Sequence, residues 1–572
     1  MEKIGKGENI MNKLTRFFPH KEIRPVQDKI LNKIEECVDN NNIRYIVLEA
    51  GTGIGKSAIA KTLSGYFGNS YVLTSTKMLQ EQYENEFKNF DVSLLKGKGN
   101  YACALDPKMS CAHGKCLETA GTKATCNKFN RCPYSNAFDQ AMRSEMFISS
   151  YALFLSFASH KKTKDTLVPR DIIVIDECHL LDDTLVDLAK VDVDLEDIEK
   201  KFFAEANLSF REECYFHKTF SNDDEKNIEI LRTINEMLEK RIQENKIRIS
   251  NLIGTEDKEL KKELFEKYKE KEEMEEYTRR IFNYVETYDS GNWITKCEGT
   301  SILCLPIASK TMFKEFIDRK AIKKVLFMSA TIFGKNNFCQ ELGIDPDKTM
   351  YISEQSTFDP HRSPVVLNPI LSFKMGEYDK TVDKAKNIVK DIIATHKNSK
   401  GIIHTGNYKV MNFLVNRIPS KRFIYKQNNA SNEYLVKVHE KAKVASILVS
   451  PSMMSGVDLK EDLSRFQIIM KLPYASLSDP RIQYISKTNF TFYAIKMLRE
   501  FVQACGRSTR SEDDWSVTYV LDKGFIRIWN NFKRYLPYFA QRLISYDNFD
   551  LNKFMNGIKA MDKEKNNEEE FF

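Results

Sequence analysis

No apolar run in the 572 residues approaches the roughly 20 needed to cross a bilayer; the most apolar stretch, around Ser149 to Ser159, is about half as long. The charged start Met1-Glu2-Lys3 has no apolar core of the secretory kind. These two absences argue against membrane insertion and secretion, and the expectation is a soluble intracellular protein. Internal repeats are absent as well, which sets aside solenoid and propeller architectures. A strong charge of one sign is also missing: 87 basic against 80 acidic side chains leave only +7, which says little about nucleic acid. What is present suffices for packed cores, since 42% of residues are hydrophobic and 11% aromatic, with 29% charged residues to solvate them. At about 100 to 200 residues per domain the length predicts several units, three to five.

Cysteine is unevenly spread. Five of the twelve, Cys103, Cys111, Cys116, Cys126 and Cys132, fall within 30 residues. Cytosolic thiols stay reduced, so a disulfide framework is not expected and a metal or cluster site is the leading reading. Most of the remaining seven read as small buried hydrophobes.

Short β-branched apolar runs recur at Arg44 to Leu48, Asp171 to Ile175, Lys324 to Met328, Gly401 to His404, Ser446 to Val449, Gln467 to Met470 and Ser516 to Leu521. They alternate with longer amphipathic stretches, which predicts an α/β protein with two parallel-sheet units. Two stretches break the rhythm. One is the cysteine-rich segment from Lys96 to Arg143. The other, 191–299, contains Glu256 to Arg280, where charges of both signs surround Leu260, Leu264, Tyr268, Met274, Tyr277 and Ile281. That spacing predicts a helix with a narrow apolar stripe, part of a solvated helical hairpin.

Three segments carry chemistry. Ile46 to Ser57 reads as a strand, a glycine-rich turn and a helix start, with Ala50, Gly51, Thr52, Gly53, Ile54, Gly55, Lys56 and Ser57 forming a phosphate loop. Glycines allow backbone N–H groups to wrap a phosphate, Lys56 reaches its oxygens, and Ser57 is a ligand for Mg²⁺. Ala50 stands where the motif has its first glycine. Ile172 to Ile175 then leads into Asp176 and Glu177, an acidic pair at a strand end: Asp176 to hold Mg²⁺ and Glu177 to polarise the attacking water. Gln503 to Arg510 includes Arg507 and Arg510, three apart on one helical face, able to bring guanidinium charge to a γ-phosphate across a cleft. An ATPase is the default reading.

With these segments in order, the chain resembles the superfamily 2 helicases of the Rad3/XPD and DinG family, from about Arg24 to Asp522. Arg24-Pro25-Val26-Gln27 is similar to the adenine-recognition motif. Leu73-Thr74-Ser75-Thr76-Lys77 with Leu79 and Gln82 is similar to the segment that contacts single-stranded DNA. Asp176-Glu177-Cys178-His179 stands at the acidic box, and Met328-Ser329-Ala330-Thr331 at the motif coupling hydrolysis to motion. Ser455-Gly456-Val457-Asp458 and Leu472-Pro473-Tyr474 with Asp479-Pro480 resemble the fifth motif and the loop after it, placing Gly456 and Asp458 near the nucleotide; Gln503 to Arg510 resembles the sixth. The fourth motif departs, with His404 and Gly406 where an aromatic and a serine are usual.

The resemblance implies two RecA-like motor domains with two insertions. The implied division is 1–95, 144–190 and 300–340 for the first motor domain, 96–143 for an iron-sulfur domain, 191–299 for a helical Arch-like domain, 341–560 for the second motor domain and 561–572 for a frayed tail. It also implies a 4Fe-4S cluster on Cys103, Cys116, Cys126 and Cys132, with Cys111 spare or exchanging with Cys116. Zinc is the alternative, although the cysteine gaps suit it poorly. The expected activity is that of a monomeric ATP- and Mg²⁺-dependent DNA helicase moving 5′-to-3′ on single strands and opening junctions with duplex. Catalysis would fall to Lys56, Asp176, Glu177, Gln503, Arg507 and Arg510. The alternatives are a translocase that remodels nucleoprotein without processive unwinding and a nucleotide-switched binding module.

Overall fold

The computed structural model describes residues 12–51, 53–117, 132–159, 167–206, 208–318, 322–373, 378–427, 430–451, 459, 461–506, 508–509 and 511–570. Among these, no helix is long and apolar enough to cross a membrane.

In chain order the strands are β1 (Tyr45–Ala50), β2 (Ser70–Thr74), β3 (Val92–Leu95), β4 (Met146–Ser150), β5 (Ile172–Asp176), β6 (Val191–Asp194), β7 (Trp293–Glu298), β8 (Ser301–Pro306), β9 (Lys324–Ser329) and β10 (Thr349–Glu354). They continue with β11 (Val365–Leu371), β12 (Gly401–His404), β13 (Phe423–Tyr425), β14 (Ile447–Ser450), β15 (Phe466–Ile469), β16 (Val517–Asp522) and β17 (Leu543–Ser545). Two seven-stranded sheets result, ordered β10-β1-β9-β5-β2-β4-β3 and β13-β14-β12-β15-β16-β11-β17, with a small sheet β6-β8-β7. The pairings within both large sheets are parallel, as in β1 with β9 and β12 with β14. Helices cover both faces of such sheets, which is why β5 and β9 are buried along their whole length and read as apolar runs.

The predicted fold class therefore holds: α/β, with two parallel-sheet motor domains. Its boundaries need adjustment. β10 pairs with β1, so the chain leaves the first sheet after Glu354 rather than at 340. β8 pairs antiparallel with β6 and β7, so the 299/300 division cuts through the small sheet at the base of the helical insertion. The last helix runs Leu551–Glu570 across the predicted start of the tail, and its Asp562 meets the buried Arg362 at 2.5 Å.

The charged segment forms the second arm of an antiparallel hairpin, Asp224–Leu252 and Lys258–Thr287. At about 1.5 Å per residue each arm is roughly 45 Å long. A stripe including Ile234, Leu238, Ile242 and Ile249 on the first arm and Leu264, Met274 and Ile281 on the second is buried, whereas Leu260, expected in the stripe, is exposed. Of the seven cysteines outside the rich segment, Cys37, Cys178, Cys304, Cys339 and Cys505 are buried; Cys297 is half-buried and Cys214 exposed.

Candidate functional site: a nucleotide cleft between two motor domains

In the first sheet β9 lies between β1 and β5, and the register puts Glu49 beside Ser329 and Asp176 beside Met328. The carboxyl ends of three adjacent strands thus converge, the usual place for a ligand in an open parallel sheet. From β1 the chain enters the phosphate loop. Gly53 and Gly55 have φ of 87° and 84°, left-handed conformations that suit glycine, and the helix α2 (Lys56–Phe67) begins directly after them. At Gly51 a Cβ would fall 2.5 Å from the backbone nitrogen of Ser356, so the segment linking the two motor domains lies over the loop. Lys56 Nζ donates to the Ala50 carbonyl at 3.1 Å.

Arg24 and Gln27 hold this loop from behind, at the start of helix α1 (Pro25–Val38). Arg24 donates to the Gly53 carbonyl at 2.7 Å; Gln27 Nε2 donates to the Ile54 carbonyl at 2.9 Å and Gln27 Oε1 accepts from the Arg24 backbone N–H at 3.0 Å. Gln27 is buried, and its amide is bonded at one end to the loop and at the other to the start of its own helix. Beside it a cleft of about 340 Å³ is lined by His20, Glu22, Arg24, Gln27, Gly55, Ala58 and Glu86.

Asp176, at the end of β5, is buried. Burial raises its pKa; the Lys56 charge, the Tyr83 hydroxyl and the Glu177 N–H oppose that rise. Tyr83 OH donates to Asp176 Oδ2 at 3.0 Å, the Glu177 N–H donates to Oδ1 at 3.0 Å, and Tyr151 OH donates to the Asp176 carbonyl. Glu177 sits at φ 54°, a conformation a non-glycine residue rarely keeps without surrounding support. Ser57 Oγ donates to Glu86 Oε2 at 2.9 Å. The oxygen donors of Ser57, Asp176 and Glu177, beside the Lys56 ammonium, fit a hard divalent cation such as Mg²⁺.

His179 joins the acidic box to the rest of the cleft. Its Nε2 lies 2.8 Å from Gln503 Nε2; an amide nitrogen can only donate, so His179 Nε2 accepts and its proton resides on Nδ1. Nδ1–H then donates to Ser329 Oγ at 2.9 Å, with Glu177 Oε2 3.4 Å away. Burial, with help from the Arg499 charge, lowers the His179 pKa to about 3, so the ring is neutral at physiological pH. Gln503 Nε2 also reaches Thr331 Oγ1 at 3.3 Å. The acidic box, the Ser-Ala-Thr motif and the sixth motif therefore share one hydrogen-bond chain across the domain boundary.

Several residues of this region had no sequence signal. Glu49 Oε1 accepts from the consecutive N–H groups of Ile332 and Phe333 at 2.7 and 2.8 Å, and its other oxygen accepts from Tyr351 OH. Arg499 clamps Glu341 with two bonds of 2.9 and 2.7 Å, both side chains buried. Arg481 meets Asp182 at 2.7 Å, and Lys496 pairs with Asp183. Asp182 and Asp183 stand in the first turn of the helix after the acidic box, and Arg481 follows Asp479-Pro480; only tertiary pairing tells them from ordinary helix-end charges.

Of the other predicted site residues, Thr52, Cys126, Gly456, Asp458, Arg507 and Arg510 lie outside the described residues. In the cysteine-rich segment the structure brings Cys111 to Cys132 and Cys103: burial pushes the Cys111 thiol up to about 11, and both neighbouring thiols add to the rise. Cys116 lies near Tyr268 of the helical hairpin, whose hydroxyl pKa it helps to raise. Among the described residues no group of three or more His, Cys, Asp or Glu is arranged to hold a metal ion.

Comparison with known proteins follows this geometry. The family of helicase C-terminal domains matches residues 391–539, and that of the type III restriction enzyme res subunit matches residues 20–211. A probable ATP-dependent helicase of Methanocaldococcus jannaschii is 22% identical over 89% of this chain and 92% of its own length. An ATP-dependent DNA helicase, YoaA, of Haemophilus influenzae is 22% identical over 77% of this chain and 81% of its own. Among solved structures, an XPD helicase superposes with a TM-score of 0.61 at 15% identity, covering 92% of this chain and all (100%) of the other. Xpd4 of S. tokodaii gives 0.54 at 12%, covering 90% and 98%. With its two motor sheets, phosphate loop and acidic box joined to the sixth motif, the chain has the fold of the XPD helicases and is similar in sequence to ATP-dependent helicases over most of its length.

Proposed function

We propose that this helicase moves along single-stranded DNA, 5′-to-3′, and separates duplex at single-strand junctions. The observation that carries the reading is the chain from Asp176-Glu177 through His179 to Gln503, a route by which hydrolysis in one motor domain can reposition the other. Lys56 and the loop from Gly51 to Ser57 hold the phosphates; Ser57 and Asp176 hold Mg²⁺, which neutralises phosphate charge when bound. Glu177 orients and deprotonates the attacking water, and Arg507 and Arg510 complete the site on closure. The substrate class draws support from the name of one relative, a DNA helicase, and from the DNA-contacting segment at Leu73 to Lys77. The direction rests on the family resemblance alone.

The cysteine-rich segment is read as a 4Fe-4S domain placed as a wedge at the junction. Its surroundings carry local positive charge, eight basic against four acidic side chains from Asp91 to Arg143. The approach of Cys111 to Cys132 and Cys103 supports Cys111 as a candidate ligand beside Cys116, and the exchange between the two stays open. Iron content of single Cys→Ser variants, with absorbance near about 400 nm, decides the set and separates iron from zinc.

The main test is ATP turnover with and without single-stranded DNA. Turnover should rise with DNA and vanish in Lys56→Ala; a Lys56→Ala protein as active as wild type defeats the motor assignment. Duplexes with 5′ or 3′ overhangs test direction, and exclusive use of the 3′ overhang reverses it. Displacement of a bound protein without strand separation would make it a remodeller.

A further inference from the structure

Helix α3 (Lys77–Glu86) begins at the segment resembling a DNA contact, where Thr76 caps it by accepting from the Leu79 N–H at 3.3 Å. Near its other end, about 15 Å away at 1.5 Å per residue, two side chains one turn apart reach into the nucleotide site. Tyr83 is buried, and its hydroxyl donates to Asp176 Oδ2 at 3.0 Å. Glu86 accepts from Ser57 Oγ at 2.9 and 3.1 Å, with His20 Nε2 3.4 Å from its Oε1. The two residues assigned to the metal are thus each held by α3. The helix also touches the cysteine-rich segment, through Lys77 to Asn100 at 2.7 Å and Glu81 to Lys96 at 2.6 Å.

We propose that Tyr83 and Glu86 are positioning residues for the Mg²⁺ ligands Asp176 and Ser57, and that α3 carries the state of the nucleic-acid contact at Thr74–Lys77 to the metal site. This rests on the motor reading above. The chemistry is complementary at both ends. A serine hydroxyl whose proton is taken by Glu86 turns an oxygen lone pair away from that carboxylate, free for a cation. An aspartate that accepts from Tyr83 through Oδ2 and from the Glu177 N–H through Oδ1 keeps its orientation and its charge, with a lone pair on each oxygen left for the cation. Partners of this kind, one bond behind a metal ligand, set metal affinity by about 10- to 100-fold when removed. A rigid helix fixed to both ligands also makes their separation sensitive to a shift at its other end, and by linkage a nucleic acid that changes metal affinity has its own affinity changed equally.

The test uses the full chain with ADP and Mn²⁺ in place of Mg²⁺, the bound Mn²⁺ being followed by electron paramagnetic resonance. Tyr83→Phe keeps the buried ring and removes only the hydroxyl; Glu86→Gln is at the surface and keeps the shape; Glu84→Gln, exposed on the same helix, is the control. Each of the first two should weaken Mn²⁺ binding about tenfold, and Glu84→Gln should not. Adding a single-stranded oligonucleotide should shift Mn²⁺ affinity in wild type, with the shift reduced in the Tyr83→Phe/Glu86→Gln double variant. Unchanged Mn²⁺ affinity in both single variants overturns the positioning role, and an equal oligonucleotide shift in wild type and double variant overturns the lever. Failure of the wild-type protein to bind Mn²⁺ with ADP would instead sink the motor reading itself.

Discussion

In the first motor domain the groups that face the cleft stand at strand ends: Glu49 in β1, Asp176 in β5 and Ser329 in β9, held side by side by the sheet's own register. In the second, the described groups that reach across, Gln503, Arg499 and Lys496 from Phe490–Gly506 and Arg481 from Pro480–Thr488, all stand on helices. A strand end moves only if its sheet moves. A helix docked through a few polar contacts can leave and return with its domain. Under the proposed function the first domain would hold the fixed chemistry and the second supply the stroke, with His179, neutral and bonded on both nitrogens, as the joint between them.

The strongest way to break the comparison is at the fixed side. Glu177→Gln removes the proposed base without disturbing the sheet, and turnover should fall by about 10²- to 10⁴-fold, the usual worth of a positioned proton acceptor. A single-turnover measurement with saturating ATP reads this directly. A fall of less than about tenfold would move the role of water activation to another group.

The contact between the two domains is next. Glu341→Ala leaves the Arg499 guanidinium buried without its main partner, a change that costs about 3–5 kcal/mol in comparable sites. The loss should be seen in chemical denaturation, and in easier proteolysis of the 355–363 link as the domains separate. The paired change Glu341→Leu with Arg499→Met should recover much of it, because desolvation of two charges no longer has to be offset.

Much of this architecture was legible in the sequence because parallel strands buried on both faces read as uninterrupted apolar runs: each of the seven expected runs overlaps a strand, among them β5, β9, β12 and β15. The strands that were not legible had a physical reason. β2 and β4 carry Ser70, Thr74, Ser149 and Ser150, whose hydroxyls break the pattern although all but the half-buried Ser150 are buried, and β13 and β17 are only 3 residues long. Of the site, the phosphate loop and acidic box were legible because their chemistry is local in sequence. Tyr83 on Asp176, Arg499 on Glu341 and Arg481 on Asp182 were not, since each pair joins positions about a hundred to three hundred residues apart.

A smaller effect compares one buried histidine in each motor domain. His396 stacks on Phe466 with centroids 4.5 Å apart and meets Tyr519 OH at 2.9 Å; burial lowers its pKa to about 3, as in His179. Both folded values lie below the ordinary 6.5, so between about pH 6.5 and 3 the unfolded chain binds the extra proton and stability falls as pH falls. Each ring contributes a slope of about 1.4 kcal/mol per pH unit, or roughly 2 kcal/mol between pH 6.5 and 5. Denaturation midpoints of His396→Gln against wild type should converge on acidification across that window. Parallel curves would mean that the imidazole stays protonated inside the sheet packing.

The smallest effect isolates burial as the cause of the strength at the domain junction. Arg248 holds Glu263 across the helical hairpin with two bonds of 2.6 and 2.8 Å, a geometry as good as that of Arg499 and Glu341, but the side chains are 48% and 30% exposed instead of 4% and 3%. Water solvates both charges in either state, and salt screens what attraction is left. Arg248→Ala should therefore leave the unfolding midpoint within measurement error at physiological ionic strength, with any effect confined to low salt. If its loss matched that of Glu341→Ala, bond geometry rather than desolvation would set the energy of both pairs, and the junction between the motor domains would lose its claim to be held by buried charge.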